Sequence, residues 1–449
     1  MIIKRSILTA ATLFASATLC LGGCSNPTAA PESKDTSTSG DFWPAAETNL
    51  KGVELTFWAA QTSNKIPLKV VDSFQKKTGA KISVQTIPDN YESNVQTKIA
   101  TGDTPDIMFW QPVPSTLKGF VAQGLLQELK DMPWAKDYEK GIMEAGGKVD
   151  GKQYAALISS PDVEGVFYNK EVFKKAGIGE LPKNWKEFVE TATKIKAAAI
   201  PGVNSPLFEM AGDQWGTQWA VNVQLADAAK DGLWQRVNQN KDSFTGPDIL
   251  GAIKEYKSMF DKGLYNSDAG SAKFEDQTSA LWEGKTAMII QANGGFAGVA
   301  ALAKGNKAAL DQKIGFFPIA KNSNMGTSIP QQTGGVVLFK STDEKRAAAA
   351  RQFLNYWMTK GYEEFVKDQN IVSVLKSAKT PETVPQALID SAKALETAQG
   401  SMQSQAIVNP DLYLNLANMV NGSMTPETAA KATQDQFVEL AKAQGAKGF

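Results

Sequence analysis

The sequence predicts an α/β protein made of two blocks of alternating strands and helices. Three observations lead there. Short apolar runs of strand character recur between segments whose apolar residues fall three or four apart, the alternation that builds a largely parallel sheet with helices on both faces. The alternation breaks off and resumes, so the 449 residues hold two such blocks. The composition is that of an ordinary globular protein, with 42% hydrophobic and 21% charged residues.

In the first block, "VELTFWAA" (53–60) alternates apolar and polar residues and reads as a strand. The following "IPLKVVDSFQKKTG" sets Leu68, Val71 and Phe74 at helical spacing, with Gly79 as its stop. "AKISVQTI" is a second strand, "YESNVQTKIATG" a helix, and "PDIMFW" a third strand before the helical "STLKGFVAQGLLQEL". The second block opens with the strands "YAALISS" and "GVFYN" and the helix "NWKEFVETATKIKAAA", which Asn184 caps and whose Trp185, Phe188, Ala192 and Ile195 share a face. Helices dominate from about 245 to 300 up to the strand "TAMIIQ"; "GGVVLF" then precedes the helix "DEKRAAAARQFLNYWMTKG", and the C-terminal stretch is helical. Two such blocks suggest two lobes facing a cleft, and in open α/β sheets ligands bind beyond the carboxyl ends of strands. Trp58 and Trp110 both stand at such ends.

Composition excludes whole classes of function. The chain has no histidine, which removes a His general base, a Ser-His-Asp or Cys-His system and the usual zinc and non-haem iron ligand sets. Lys and Arg together number 47, as do Asp and Glu, so no bulk charge favours nucleic acid or anionic lipid. "SALWEGKT" (279–286) has the lysine and threonine of a phosphate-binding loop, but its first glycine is missing and a strand follows where a helix is required.

At the N-terminus, Lys4 and Arg5 precede an uncharged, small-residue apolar run that fits a secretory signal peptide over residues 1–23. Its end, Leu21-Gly22-Gly23-Cys24, resembles the lipobox of bacterial lipoproteins. That resemblance implies a diacylglyceryl group on Cys24, a lipid anchor on the outer face of the cell membrane and no intramolecular disulfide. Residues 24–49 then read as a flexible tether rich in Ser, Thr, Pro and Ala.

Three tryptophans, Trp58, Trp110 and Trp215, lie at strand ends or in loop-like sequence, where an indole face suits the C–H face of a pyranose ring. Asp162 with Glu164, or Asp213, could supply a carboxylate pair for glycoside hydrolysis, or carboxylates that hydrogen-bond neighbouring hydroxyls.

A series of motifs running in order through the chain carries a family likeness: "LTFWA", "FQKKTGAKISVQ", "KIATGDTPDIMFW", "AQGLLQEL", "DGKQYAAL", "VEGVFYNKEVFKKAGI", "LPKNWKEF", "LWEGKTAMII", "TGGVVLF" and "NGSMTPETAAKATQDQF". The chain resembles the extracellular solute-binding lipoproteins of bacterial ABC sugar importers, the group that includes maltose-binding protein. The resemblance implies a two-lobed periplasmic-binding-protein fold, type II-like, with discontinuous lobes joined by a multi-segment hinge. Residues 50–161 and 316–372 would form lobe 1, and 162–315 with 373–449 lobe 2. It implies a monomer without enzymatic activity, cofactor or metal, which takes an oligosaccharide in the cleft and hands it to ABC permease subunits.

Matched position by position, the resemblance places Trp110 and Gln111, Trp215 with Asp213, Asp162, and the loop of Trp58 and Gln61 at the ligand. Asn293, Gly294, Gly295 and Phe296 stand where relatives often carry Gly-x-Trp, so either Phe296 replaces that ring or the subsite is open. Gln332, Gly334 and Tyr413 complete the set, with Val336 where relatives often carry an aromatic. "QPV" after Trp110 lacks the charged pair of maltose binders, so maltose is not favoured over other oligosaccharides. The alternatives are a surface-anchored glycoside hydrolase and a binder of a non-sugar solute such as a peptide or polyol phosphate.

Overall fold

Two sheets organise the chain. A computed structural model describes residues 42–46, 49–60, 65–88, 91–330 and 334–449. The expected signal peptide, Cys24 and most of the expected tether lie outside the described residues, as do Gln61 and Gln332. The strands are β1 (Glu54–Ala60), β2 (Lys81–Ile87), β3 (Ile107–Trp110), β4 (Lys148–Val149), β5 (Lys152–Gln153), β6 (Ala155–Leu157), β7 (Asp162–Asn169), β8 (Ser205–Leu207), β9 (Thr286–Ala292), β10 (Ile314–Phe317), β11 (Thr327–Ile329), β12 (Gly335–Leu338) and β13 (Gln399–Gly400).

The first sheet has the order β2-β1-β3-β12-β6. β1 lies parallel to β2 and β3, joined through the helices Leu68–Thr78 and Tyr91–Ala100, while β12 is antiparallel to β3 and β6. The helices Leu68–Thr78 and Glu344–Thr359 cover one face, where Val70, Phe74, Phe353 and Trp357 join Phe57 and Phe109 in one core. On the other face, Tyr91, Val95, Leu117 and Phe120 join Trp58, Met108 and Trp110 in a second. Burial on both faces explains why "IMFW" is a continuous apolar run. The local signals behave as the sequence indicates. Gly79 ends the helix Leu68–Thr78 at φ 76°, Asn184 accepts the N–H of Glu187 at 3.0 Å, and Asp343 caps the helix that follows β12. Leu68 is the exception, exposed while Val70 takes its place in the core.

Asp106, immediately before β3, fastens this sheet. Its Oδ2 accepts the N–H of Thr56 on β1 at 2.7 Å, and Arg346 of the helix Glu344–Thr359 donates to both its oxygens at 3.1 and 2.5 Å.

The second sheet has the order β13-β11-β7-β9-β8, with β10 also paired to β7. β7 runs antiparallel to β9, β10 and β11, and β8 is parallel to β9, so this sheet is mixed. The pairings correct the expected return to lobe 1 at residue 316. Both β10 and β11 belong to β7, and the chain re-enters the first sheet only at Gly335. Gly165 makes β10 possible: a Cβ there would stand 2.6 Å from Cε2 of Phe316, whose ring crosses the strand at that point. β8, β10 and β11 carry no alternation that marks them in the sequence, since each is short and buried throughout.

Candidate functional site

The carboxyl ends of β1, β2, β3, β8 and β9 carry the loops that an open α/β sheet uses for ligands. Loops from both sheets converge on the segment 159–163, where the chain passes from β6 to β7. From the first sheet, Lys65 Nζ donates to Ser159 Oγ at 3.2 Å. Burial lowers the Lys65 pKa, opposed by the nearby charge of Asp162. From the second sheet, Asn293 Oδ1 accepts the N–H of Val163 at 2.6 Å. Gly294 lies directly against the Asp162 carboxylate: a Cβ there would be 2.7 Å from Oδ2 and 3.2 Å from Oδ1. Asp162, Asn293 and Gly294, singled out from sequence, are therefore brought together with Lys65 and Ser159, which were not.

A second group surrounds Trp215. Gly212 and Gly216 permit the turn that carries it, because a Cβ at Gly212 would strike the Ser271 carbonyl and one at Gly216 the Met210 side chain. Asp213 holds this turn to the next helix. Its Oδ2 accepts the N–H of Phe274 at 2.8 Å, and Lys273 Nζ lies 3.4 Å from Oδ1. Its carboxylate is thus an anchor of the loop, which differs from the ligand contact expected of it. Trp215 is 38% exposed, with ring centroids 5.9 Å from both Trp219 and Phe274, and no other aromatic side chain among the described residues is exposed. The half-buried Tyr413 lies beside it, its carbonyl accepting from Thr217 Oγ1 at 2.9 Å.

Other expected contacts are placed elsewhere. Trp110 is 1% exposed, its ring 5.0 Å from Phe120 and 6.1 Å from Tyr91, and its Nε1 donates to the Thr116 carbonyl at 3.2 Å. The helix that starts at Pro114 folds back over the indole, so the ring ends in the core instead of the cleft. Trp58 is fully buried in the same core, donating to Gln85 Oε1 at 3.1 Å with Lys98 Nζ 4.9 Å above its ring. Phe296 is buried and stacked on Phe167 at 5.4 Å, because it opens the helix Phe296–Leu302 and turns back onto the sheet. It is not an exposed replacement ring. Gly295 abuts the Gln291 side chain, where a Cβ would meet Cγ at 2.8 Å. Gln111 is half-buried and its carbonyl accepts from Thr116 Oγ1 at 2.7 Å; Gly334 is buried and accepts from the N–H of Ile158 at 3.3 Å.

Glu164 stands two residues beyond Asp162 on β7, with no exposed surface. Burial pushes its pKa well above the carboxylate range; the hydrogen bond from Asn222 Nδ2 at 3.1 Å opposes this and the charge of Asp162 adds to it. Glu164 is sealed from solvent and Asp213 is bonded to the next helix, so neither stands free beside Asp162 as the second carboxylate of a hydrolytic pair. Separately, Val113, Pro114 and Glu144 face Ser328, Glu396 and Ser404 across a cavity of about 570 Å³, which none of the described residues expected at the ligand lines.

The sequence model of the bacterial extracellular solute-binding proteins matches residues 69–395. The chain belongs to that family. This solute-binding protein is 28% identical over 230 residues to a binding protein of Brucella abortus strain 2308, a match covering 48% of this chain and 51% of the relative. It thus spans about half the length of the first curated relatives it matches. It is 25% identical over 335 residues to the sn-glycerol-3-phosphate-binding periplasmic protein UgpB of the same organism, covering 68% of this chain and 70% of that one. Among solved structures it matches a chitin oligosaccharide binding protein at a TM-score of 0.69 and 20% identity, covering 86% of this chain and 98% of that chain. The sugar-binding protein MalE of Xanthomonas citri matches at 0.70 and 18%, covering 88% and 98%. These likenesses show the two-lobed fold of the periplasmic sugar-binding proteins. The family is extracellular and binds solutes; it is not a family of enzymes.

Proposed function

We propose that this solute-binding protein captures an oligosaccharide in the cleft between its lobes and delivers it to the permease of an ABC importer. The exposed indole of Trp215 carries the reading, because a large apolar ring is kept in water at a cost and suits the C–H face of a pyranose. Asp162 and Asn293, gathered at the passage between the lobes, would take the hydroxyls, as few and well-placed polar groups do in ligand sites. The fold neighbours that bind chitin oligosaccharide, raffinose and stachyose support a sugar.

A second reading, glycerol phosphate, is favoured by the UgpB relatives and by Lys65, a half-buried cation at the end of the first strand's loop. Calorimetry with diacetylchitobiose, maltotriose, raffinose and sn-glycerol 3-phosphate separates the two. Saturable heat with a glycan, recovered intact, upholds the first reading; heat only with the phosphate replaces it. Attachment to the membrane through Cys24 belongs to the same proposal. Mass spectrometry of the N-terminal peptide is expected to find a diacylglyceryl group that Cys24→Ala abolishes, with release of the protein from the membrane fraction.

A further inference from the structure

Trp215 is presented by a backbone that does not hold its shape unaided. Gln214, just before it, adopts φ 59° and ψ −57°, a γ-turn conformation that is rare and strained for a residue with a side chain. Such strain persists only where the surroundings over-determine it, and it collects at ligand sites. Two side chains supply the restraint. Thr217 Oγ1 donates to the Gln214 carbonyl at 2.8 Å and also faces the Tyr413 carbonyl, while Gln218 Nε2 donates to the Trp215 carbonyl at 2.9 Å.

Gln218 is in turn held from behind. Gln403 Nε2 donates to Gln218 Oε1 at 2.5 Å, Asn222 Nδ2 reaches Gln403 Oε1 at 3.3 Å, and the same amide donates to Glu164 Oε1 at 3.1 Å. This chain of side-chain hydrogen bonds runs from the exposed indole's own backbone to β7, the strand that begins where the two lobes join. Its members at the β7 end are sealed, Glu164 at 0% and Asn222 at 2% exposure. Among the described residues Glu164 Oε2 and Asn222 Oδ1 have no hydrogen-bond partner, so two buried acceptors meet the relay at this end. Gln403 sits on the short helix Met402–Gln405, which packs against the helix Pro114–Ala122 of the first lobe. Its neighbours Ser404 and Gln405 line the cavity that Val113 and Pro114 bound from the other side.

We infer that Gln218, Gln403, Asn222 and Glu164 are positioning residues that fix the Trp215 ring and tie it to the contact between the lobes. The inference rests on Trp215 being the ligand platform, but the relay itself is tested without a ligand. Neither a ligand-facing nor a purely core role predicts it: Gln403 is hydrogen-bonded to Gln218 and Asn222, and its loss reaches the indole and the strained residue through Gln218. A closing movement that shifts the helix Met402–Gln405 against Pro114–Ala122 pulls on the same link, so the ring registers whether the lobes are apart or together.

The test is fluorine NMR of the full chain labelled with 5-fluorotryptophan, the Trp215 resonance being assigned by Trp215→Phe. Gln403→Met and Gln218→Met keep the side-chain shape and remove the hydrogen bonds. Both are expected to shift and broaden the Trp215 resonance while the buried tryptophans, Trp110 and Trp357 included, keep theirs. Glu164→Gln preserves the acceptor and is expected to leave the resonance in place, whereas Glu164→Met moves it. Affinity for the glycan identified by calorimetry is expected to drop about tenfold in the two Gln→Met variants, the worth of one hydrogen bond of about 1.4 kcal/mol. An unmoved Trp215 resonance in both, with the other resonances showing an intact fold, overturns the inference. If the resonance moves and no glycan binds, the relay stands and the sugar reading falls.

Discussion

Substituting Trp215 by Ala removes an exposed ring and little core, so its cost falls on binding. The affinity for the glycan is expected to fall by a factor of ten or more, about 1.4 kcal/mol at least, with the unfolding midpoint in urea almost unchanged. Trp110→Ala is expected to do the reverse, because its ring fills the space between Tyr91 and Phe120. Loss of so large a buried side chain costs about 3–5 kcal/mol of stability. Calorimetry and urea denaturation of the two variants side by side decide it; a stable Trp110→Ala protein with weakened binding would restore Trp110 to the ligand. Glu209 gives a second prediction at this scale. It is sealed in the second lobe, where Tyr256 donates to it at 2.7 Å and the N–H of Met210 at 2.8 Å, and burial pushes its pKa from 4.5 up to about 7. Between those values the folded protein holds a proton that the unfolded chain has released, so stability falls as pH rises. The full contribution is present below pH 4.5 and lost above pH 7, about 3 kcal/mol in all. Urea denaturation from pH 5 to 8 is expected to show this decline, reduced in Glu209→Gln. Glu164, raised for the same reason, supplies a further decline of the same sign.

At the level of elements, the "TPD" before β3 shows what sequence does and does not reveal. That "IMFW" is a strand covered on both faces was legible, since only such a strand is apolar at every position. The same feature concealed which aromatic leaves the core, because without a polar alternation nothing marks the face on which a ring ends. The helix that opens at Pro114 decides it by lying over Trp110, whose Nε1 donates to the Thr116 carbonyl. Trp215 was legible from its loop-like sequence and the family likeness, and Gly212 and Gly216, where a Cβ would clash, are what let the chain make that turn. The partners behind it, Gln218, Gln403 and Asn222, were not, because a glutamine or asparagine on a helix looks the same whether it meets water or another amide. Asp106 likewise looks like a turn residue, yet it ties β1 to the helix Glu344–Thr359 through Arg346. With Asp106 nearly buried and the Arg346 side chain 41% exposed, Asp106→Asn is expected to cost roughly 2–3 kcal/mol, below the about 3–5 of a fully buried pair. Thermal and urea unfolding measure it, and a cost under about 0.5 kcal/mol, the scale of an ordinary surface change, would show that the ion pair does not fasten the sheet.

Across the whole molecule, the chain passes from the first sheet to the second at 158–161, between β6 and β7, and one hydrophobic core takes residues from both sheets, Phe57 and Phe109 with Phe167 and Phe316. In a two-lobed fold, a ligand that touches both sides shifts the molecule toward a closed form by its differential affinity for that form. The candidate site has that character. Lys65 comes from the first sheet's loop, Asn293 and Gly294 from the second's, and both sets meet at 159–163. Where the helix Met402–Gln405 meets Pro114–Ala122, a cavity of about 570 Å³ separates Val113 and Pro114 from Ser328 and Ser404. Small-angle scattering is expected to record a smaller radius of gyration when the protein is saturated with the glycan that calorimetry identifies. Trp215→Ala should require correspondingly more ligand for the same change, because it weakens the closed form. Scattering that does not change at saturation would mean that the solute binds to one lobe alone, and a permease would then have to read something other than the angle between them.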